Sequence, residues 1–83
     1  MLQGLAGVRE GRRMRVITSP MAGTIFRLLV QAGEVVVPGQ DVVVLESMKM
    51  EIAVQADVGG TVTRVRVSEG EFVDEGGILL ELA

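Results

Sequence analysis

The stretch GTIFRLLVQAGEVVVPGQDVVVL, residues 23–45, decides the fold because a second copy of it follows later in the chain. A shift of 37 positions places it over GTVTRVRVSEGEFVDEGGILLEL, residues 60–82, without a gap. Nine of the 23 aligned positions are identical, and most of the others keep their apolar or polar character. Solenoids need about three or more copies of their repeat, so two copies indicate one closed domain with pseudo-twofold symmetry.

Each copy has the pattern of short β-strands separated by turns. A glycine opens a run of β-branched residues, and Gly33 or Gly70 marks the turn that follows it. Gly39 or Gly76 marks a second turn, after which a last apolar run closes the copy. Turn signals at this spacing are typical of a β-sandwich or barrel, and no segment has a sustained helical period. We therefore predict an all-β domain.

The strand that opens the second copy alternates between apolar and charged residues. Val65 and Val67 fall on the side opposite Arg64 and Arg66. This alternation is typical of a strand with one face on the core and the other in water. We therefore expect both valines to face the core.

Composition narrows the classes of function. The chain has 83 residues, no Cys, no His and a formal net charge of −3, which excludes thiol nucleophiles, histidine proton shuttles and the usual zinc sites. No apolar run approaches the roughly 20 residues of a membrane span, so we expect no membrane as partner. Because the net charge is negative, we expect no nucleic acid as partner either. Residues 1–14 are interpreted as a flexible leader or linker, and residues 15–83 as the folded domain.

Between the two copies lies VVVLESMKMEIAV, residues 42–54, in which two β-rich runs flank a short link without glycine. This pattern predicts a tight hairpin centred on Met48 and Lys49. Two-residue hairpins favour turns with positive φ, for which Asn-Gly is the usual sequence. Other residues at positive φ cost about 1–3 kcal/mol each. A local rule broken at the tip of a loop indicates a functional site.

Lys49 is the only lysine among the eight basic residues of the chain. Amine-directed chemistry on a side chain therefore has one available site. The alternative is a solvated surface lysine, with Met48 and Met50 filling the core and the seven arginines reflecting codon preference. The hairpin position and the methionines on both sides of an exposed charge favour an interaction site.

The segment from Glu46 to Glu51, Glu-Ser-Met-Lys-Met-Glu, resembles the biotin attachment motif, whose consensus is Ala-Met-Lys-Met, often preceded by Glu. Residues 19–24, Ser-Pro-Met-Ala-Gly-Thr, resemble the Pro-Met-x-Gly start of biotinyl domains. The similarity covers residues 18–83 and includes the Gly-Gly-Thr-Val strand opening at 59–62. Ser47 departs from the pattern because it stands where the family usually has Ala.

The resemblance implies a flattened β-barrel or sandwich of two four-stranded antiparallel sheets, a barrel-sandwich hybrid, with Lys49 on an exposed hairpin. It also implies that a biotin protein ligase attaches biotin to Lys49. The domain then carries a carboxyl group from a biotin carboxylase to a carboxyltransferase without being a catalyst itself. The residues expected to be recognised by the ligase are those that flank the lysine: Glu46, Ser47, Met48, Met50 and Glu51.

Three further expectations concern the form of the carrier. Some carriers insert a loop, the thumb, between their early strands, whereas residues 30–35 leave no room for one here. We therefore expect a thumbless carrier, of the kind found in acyl-CoA or pyruvate carboxylases, in related decarboxylases, or as stand-alone attachment proteins. We also expect the isolated domain to be monomeric and to be located in the cytoplasm.

Two other functions compete with this interpretation. Lipoyl domains, which carry acyl groups for 2-oxo acid dehydrogenases, often have Ser or Thr at the position of Ser47. They usually have an acidic residue before the lysine, whereas Met48 and Met50 are the biotin signature. Similar domains also serve as structural modules in membrane-fusion adaptors of efflux systems, but those flank long coiled coils that this sequence lacks.

Overall fold

The computed structural model describes residues 15–83, and the leader predicted at 1–14 lies outside this range. The described residues form eight strands in two antiparallel four-stranded sheets, with strand orders β1-β8-β6-β3 and β5-β4-β2-β7. They contain no helix long and apolar enough to cross a membrane. The all-β prediction with two four-stranded sheets is therefore confirmed. The strands are β1 Arg15–Thr18, β2 Gly23–Leu28, β3 Val35–Val36, β4 Asp41–Ser47, β5 Met50–Gln55, β6 Gly60–Val65, β7 Phe72–Val73 and β8 Ile78–Leu82.

The predicted pseudo-twofold symmetry is present in the strands. The shift of 37 positions converts β2 into β6 and β3 into β7 with the same bounds. The same operation converts one sheet into the other, because β1, β8, β6 and β3 stand in the places of β5, β4, β2 and β7. The symmetry therefore extends beyond the matching sequence, since β1 and β5 share no obvious motif.

Each copy completes the other through backbone hydrogen bonds that cross the symmetry axis. The N–H of Gly33 donates to the carbonyl oxygen of Val62 at 2.7 Å, and the N–H of Gly70 donates to that of Ile25 at 2.7 Å. Both glycines have positive φ, 97° and 92°, a conformation that side chains disfavour. The turn glycines that the two copies share therefore allow each loop to bond to a strand of the other copy.

The core between the sheets is entirely aliphatic. Its most buried members come in symmetry-related pairs, such as Ile25 with Val62 and Leu45 with Leu82, each 1% exposed or less. The two aromatic residues of the chain take no part in it. The full set of buried apolar residues is Ile17, Ile25, Val30, Val36, Val42, Val43, Leu45, Val54, Ala56, Val62, Val67, Val73, Leu79, Leu80 and Leu82.

A β-bulge adds Val62 to the core side of β6, where Val65 lies as predicted. The register of β6 against β8 shifts between Val62 and Arg64, so strict alternation does not hold along the strand. As a result Val62 and Val65 share the core side; Val62 is fully buried at 1% exposure, and Val65 is partly buried against the core. Val67 is buried as expected, at 8% exposure, although it lies beyond the end of β6.

The symmetry is broken at one loop contact. The side chain of Glu69 accepts a hydrogen bond from the N–H of Leu28 at 3.0 Å, which fastens the loop after β6 to β2. The equivalent loop has Ala32 at this position, which cannot accept a hydrogen bond. The equivalent donor, the N–H of Val65, accordingly has no acceptor among residues 15–83.

The symmetry also determines where the ends of the domain lie. It relates the β4–β5 hairpin to the place where β8 ends and β1 begins. There the guanidinium of Arg15 donates to the carbonyl oxygen of Ala83 at 3.1 Å. β2 begins beside the hairpin, where Thr24 pairs with Glu46, and β6 begins beside Ala83, whereas their last residues, Leu28 and Val65, line one groove. The hairpin and the two ends of the described chain therefore lie at opposite ends of the domain.

A first prediction concerns the Glu69 contact. Glu69→Ala removes the acceptor for the Leu28 N–H, and we expect the free energy of unfolding, measured by urea denaturation, to fall by about 0.5–1.5 kcal/mol. Glu69→Gln keeps a side-chain acceptor and should lose less. Ala32→Glu supplies the missing acceptor for Val65 and should raise the stability. Equal stability of Glu69→Ala and the unchanged chain would contradict the assignment.

A second prediction tests the faces of β6. Val62→Ala removes two buried methyl groups and leaves a cavity, so we expect a loss of about 2 kcal/mol in the free energy of unfolding. Val65→Ala should cost clearly less, because Val65 is only partly buried. Thermal or urea denaturation of the two variants side by side measures the difference. A larger loss for Val65→Ala would contradict the relative burial assigned to the two valines.

Candidate functional site: the lysine hairpin

A two-residue turn places Lys49 at the tip of the β4–β5 hairpin. Ser47 pairs with Met50, so Met48 and Lys49 alone connect the strands. Their φ angles are 52° and 68°, the combination of a type I′ turn. Within residues 15–83 they are the two non-glycine residues with positive φ. The predicted hairpin, its centre and its unfavourable backbone are therefore confirmed.

The core dictates this turn although its own residues disfavour it. Val43 and Leu45 of β4 are fully buried, and Val54 of β5 is 4% exposed. Slipping either strand by one residue would turn these side chains out into water. The buried side chains consequently fix the register of β4 against β5. Met48 and Lys49, which connect the two strands, must then adopt the positive φ angles that a two-residue turn requires.

The side chains at the tip point away from the core. Met48 is 91% exposed and Met50 is 62% exposed, and Lys49 between them is exposed as well. The alternative in which the methionines fill the core is therefore wrong. Two thioether side chains in water beside an amine form a small apolar surface, which usually indicates contact with another molecule.

The acidic residues of the hairpin lie directly below the tip. Glu46 and Glu51 are cross-strand partners, and both are exposed. Among residues 15–83 the one ion pair joins Arg66 and Glu81, on the other sheet. The amine of Lys49 is therefore not engaged by a carboxylate of the described chain.

The arrangement suits covalent attachment of a small carboxylic acid. It offers a single primary amine at an exposed tip, held by a rigid pair of strands, with no neighbouring group in its way. A free carboxylic acid has no leaving group that an amine can displace, so acylation of Lys49 requires a carboxyl group activated elsewhere. All the residues that the sequence singled out around Lys49 lie together at this end of the hairpin: Glu46, Ser47, Met48, Met50 and Glu51.

Sequence reasoning missed one residue near the site. Phe72 on β7 lies opposite Thr24 of β2, and Thr24 lies opposite Glu46 of the hairpin. Phe72 is 61% exposed. The signal was present in the repeat, because the first copy has the smaller Val35 at the equivalent position and the chain has few aromatic residues.

Comparison with known proteins places the chain among the members of one family. A family model described as "Biotin-requiring enzyme", the biotin/lipoyl family, matches residues 15–82. A biotin/lipoyl attachment protein from Bacillus subtilis (strain 168) is 48% identical over 67 residues, which are 81% of this chain and 92% of that protein. A biotin carboxyl carrier protein from Streptococcus mutans is 42% identical over 65 residues, 78% of this chain and 50% of that protein.

A solved structure agrees with these relatives. The chain superposes on part of a single-chain, multi-domain long-chain acyl-CoA carboxylase with a TM-score of 0.77 and 30% identity, covering 84% of this chain and 7% of that one. The chain thus spans nearly all of the Bacillus protein, half of the Streptococcus carrier and a small part of the carboxylase.

The cofactor of this family is covalently attached biotin. The family model covers nearly all of the described residues, and the Bacillus relative is matched over almost its whole length. Only six residues, 29–34, connect β2 to β3, so no thumb loop is inserted between these strands, as the sequence predicts. The chain therefore belongs to the biotin/lipoyl attachment family, as a thumbless carrier of the biotin carboxyl carrier type.

Proposed function

We propose that this chain is a biotin carboxyl carrier that is biotinylated on Lys49 by a biotin protein ligase. The observation that carries the proposal is a lone, exposed lysine at a positive-φ turn between two exposed methionines. When bound, biotin holds a carboxyl group that a biotin carboxylase supplies and a carboxyltransferase passes to an acceptor. The domain itself contributes presentation and not catalysis.

The chain's own step is a simple acyl transfer. The amine of Lys49 attacks the activated carboxyl carbon of biotinyl-adenylate in the ligase, an amide bond forms, AMP leaves and the amine releases a proton. Activation belongs to the ligase, because the hairpin holds no group that can activate a carboxylic acid. What the hairpin contributes is orientation, since its strands are anchored by fully buried side chains such as Val43 and Leu45.

Recognition by the ligase follows from what surrounds the lysine. Met48 and Met50 present apolar surface that gains free energy when it is buried in an interface. Glu46 and Glu51 add two negative charges directly below the tip, which attract a complementary basic surface. Ser47 is half-buried and pairs with Met50, so its side chain is the least available of the five for contact.

The proposal includes a setting for the carrier. Relatives include a pyruvate carboxylase from Bacillus subtilis and a human propionyl-CoA carboxylase alpha chain, each matched over less than a tenth of its length. We therefore propose that the domain works with biotin carboxylase and carboxyltransferase partners, as a monomer in itself. We place it in the cytoplasm, where ATP for the ligase is at hand.

Lipoate is the second candidate, favoured by the name of the Bacillus relative, which covers both groups. Ser47 is compatible with it. The exposed Met48 and Met50 favour biotin, because lipoyl domains usually carry an acidic residue before the lysine. The two candidates differ in the ligase that modifies Lys49, which the next experiment uses.

The central prediction is modification of a single residue. Incubation of the chain with biotin, ATP and a biotin protein ligase should raise its intact mass by one biotinyl group. Lys49→Arg keeps the charge and removes the acylatable amine, so its mass should not change. A parallel incubation with lipoate and a lipoate ligase should proceed much more slowly. Faster lipoylation than biotinylation would overturn the assignment to biotin.

The position of the amine provides a matched control. Exchanging Lys49 and Met50 keeps the composition of the hairpin and moves the amine from the turn to the first residue of β5. The ligase should label this exchanged protein at least tenfold more slowly, while its melting temperature stays near that of the unchanged chain. Equal labelling would show that the ligase recognises an exposed lysine without regard to the turn.

A further prediction separates recognition from stability at Met48. Met48→Asn places at positive φ a residue that tolerates it, and we expect the free energy of unfolding to rise by about 0.5–1 kcal/mol. The same change removes apolar surface from the ligase contact, and biotinylation kcat/KM should fall about tenfold. Met48→Leu should keep the rate and gain no stability. Undiminished labelling of Met48→Asn would exclude Met48 from recognition.

A further inference from the structure

Aromatic side chains are confined to the sheet that carries Lys49. Phe26 and Phe72 are the only aromatic residues of the chain, and they are 40% and 61% exposed on β2 and β7. The pseudo-twofold relates them to Thr63 and Val35 on the other sheet. Neither ring helps to fill the aliphatic core. The sheet with the hairpin therefore exposes aromatic surface that the symmetry-related sheet lacks and that packing of the core does not require.

Of the two rings, Phe72 is the one left open. The guanidinium of Arg27 lies over the ring of Phe26, 5.6 Å from its centroid, and covers that ring by a cation–π contact. The residue after Phe72, Val73, is 8% exposed and faces the core. Phe72 therefore points to the outer face of the sheet, where a ligand of the domain can contact it.

The register places Phe72 within reach of a group attached to Lys49. Phe72 lies opposite Thr24, and Thr24 opposite Glu46, three residues before Lys49. Two strand spacings are about 10 Å, and three residues along a strand add about 10 Å in the perpendicular direction. A biotinyl-lysine has eleven bonds between Cα and the bicyclic ring, which extend to about 13 Å at the spacing of an extended chain. The ring system of the arm can therefore lie over Phe72.

The chemistry of the two groups is complementary. The fused rings of biotin have an apolar part that contains a thioether sulfur, and a polar ureido edge. Thioether sulfur makes favourable contacts with aromatic rings, and an open face beside water leaves the ureido edge hydrated. A tether of this length also holds the two groups at an effective concentration in the millimolar range.

We propose that Phe72 forms a resting site for the biotinyl group carried by Lys49, on the outer face of the hairpin sheet. The inference rests on the proposed function, because it concerns the group that the ligase attaches. In a carrier without a thumb, this site shields the apolar part of the ring system from water between visits to partners. It releases the group readily, because the contact involves one exposed ring.

The experiment does not depend on the ligase. Lys49 is the only lysine, so the N-hydroxysuccinimide ester of biotin acylates it directly, and Lys49→Arg, labelled only at the α-amine, is the control. With the full chain singly labelled at Lys49, NMR should show shifts of the Phe72 ring and Thr24 signals, and nuclear Overhauser contacts between that ring and biotin. The control protein should show neither.

Capture by streptavidin provides a second measurement. Phe72→Val introduces the residue of the equivalent position, and the labelled variant should be captured about two- to tenfold faster than the unchanged protein, because its biotin is no longer held. Val35→Phe adds a ring to the opposite sheet and should leave the rate unchanged. Circular dichroism should confirm that both variants fold.

The possible outcomes are distinct. Absence of ring contacts together with an equal capture rate for Phe72→Val would overturn the resting site, and would leave Phe72 as a contact for a partner protein. This result would not affect the proposed function, which fails only if the ligase does not modify Lys49. Ring contacts in chemically labelled protein would support the site even then.

Discussion

The structure depends on one constraint: neither copy of the repeat can pair all of its own backbone, because β3 pairs with β6 and β7 pairs with β2 of the other copy. The loop after β2 bonds to β6, and the loop after β6 bonds to β2, through the reciprocal contacts of Gly33 and Gly70. Buried backbone groups without partners are costly, so each copy requires the other. The aliphatic core follows from the same arrangement, because symmetry-related pairs such as Leu45 and Leu82 meet between the sheets. The two copies therefore share one frame, the paired strands and the aliphatic core, and the residues that differ between them are additions to it.

Most of this frame could be predicted from the sequence, because a repeat imposes the same strands and turns twice. The turn glycines and the hairpin at Met48 and Lys49 followed from local rules. The β6 bulge could not be predicted in the same way, since alternation alone does not reveal where a strand inserts an extra residue. That bulge is what places Val62 on the same core-facing side as Val65. Local sequence patterns also do not reveal which residues of different strands lie side by side. Phe72 was missed because its neighbours, Thr24 and Glu46, are distant in sequence.

Function is concentrated where the two copies differ. Three differences stand out: the closed hairpin with Lys49 against the strands β8 and β1, which no hairpin joins, Phe72 against Val35, and Glu69 against Ala32. The first two lie at the same end of the hairpin sheet. The third fastens a loop near the axis, where it supports the frame. A symmetric duplication supplies stability twice, and the departures from symmetry show where one copy has been specialised.

The placement of Arg15 beside Ala83 gives the domain a polarity of its own. Any polypeptide joined to either of these residues leaves from the end opposite Lys49. The folded strands then act as a rigid spacer between that polypeptide and the tip. Such a polypeptide at one end and the side chain of Lys49 at the other would thereby be in series with a stiff element. The volume that the tip can reach depends on the lengths of the polypeptide, the domain and the side chain together. Only the length of the domain is fixed, because its packed core holds it.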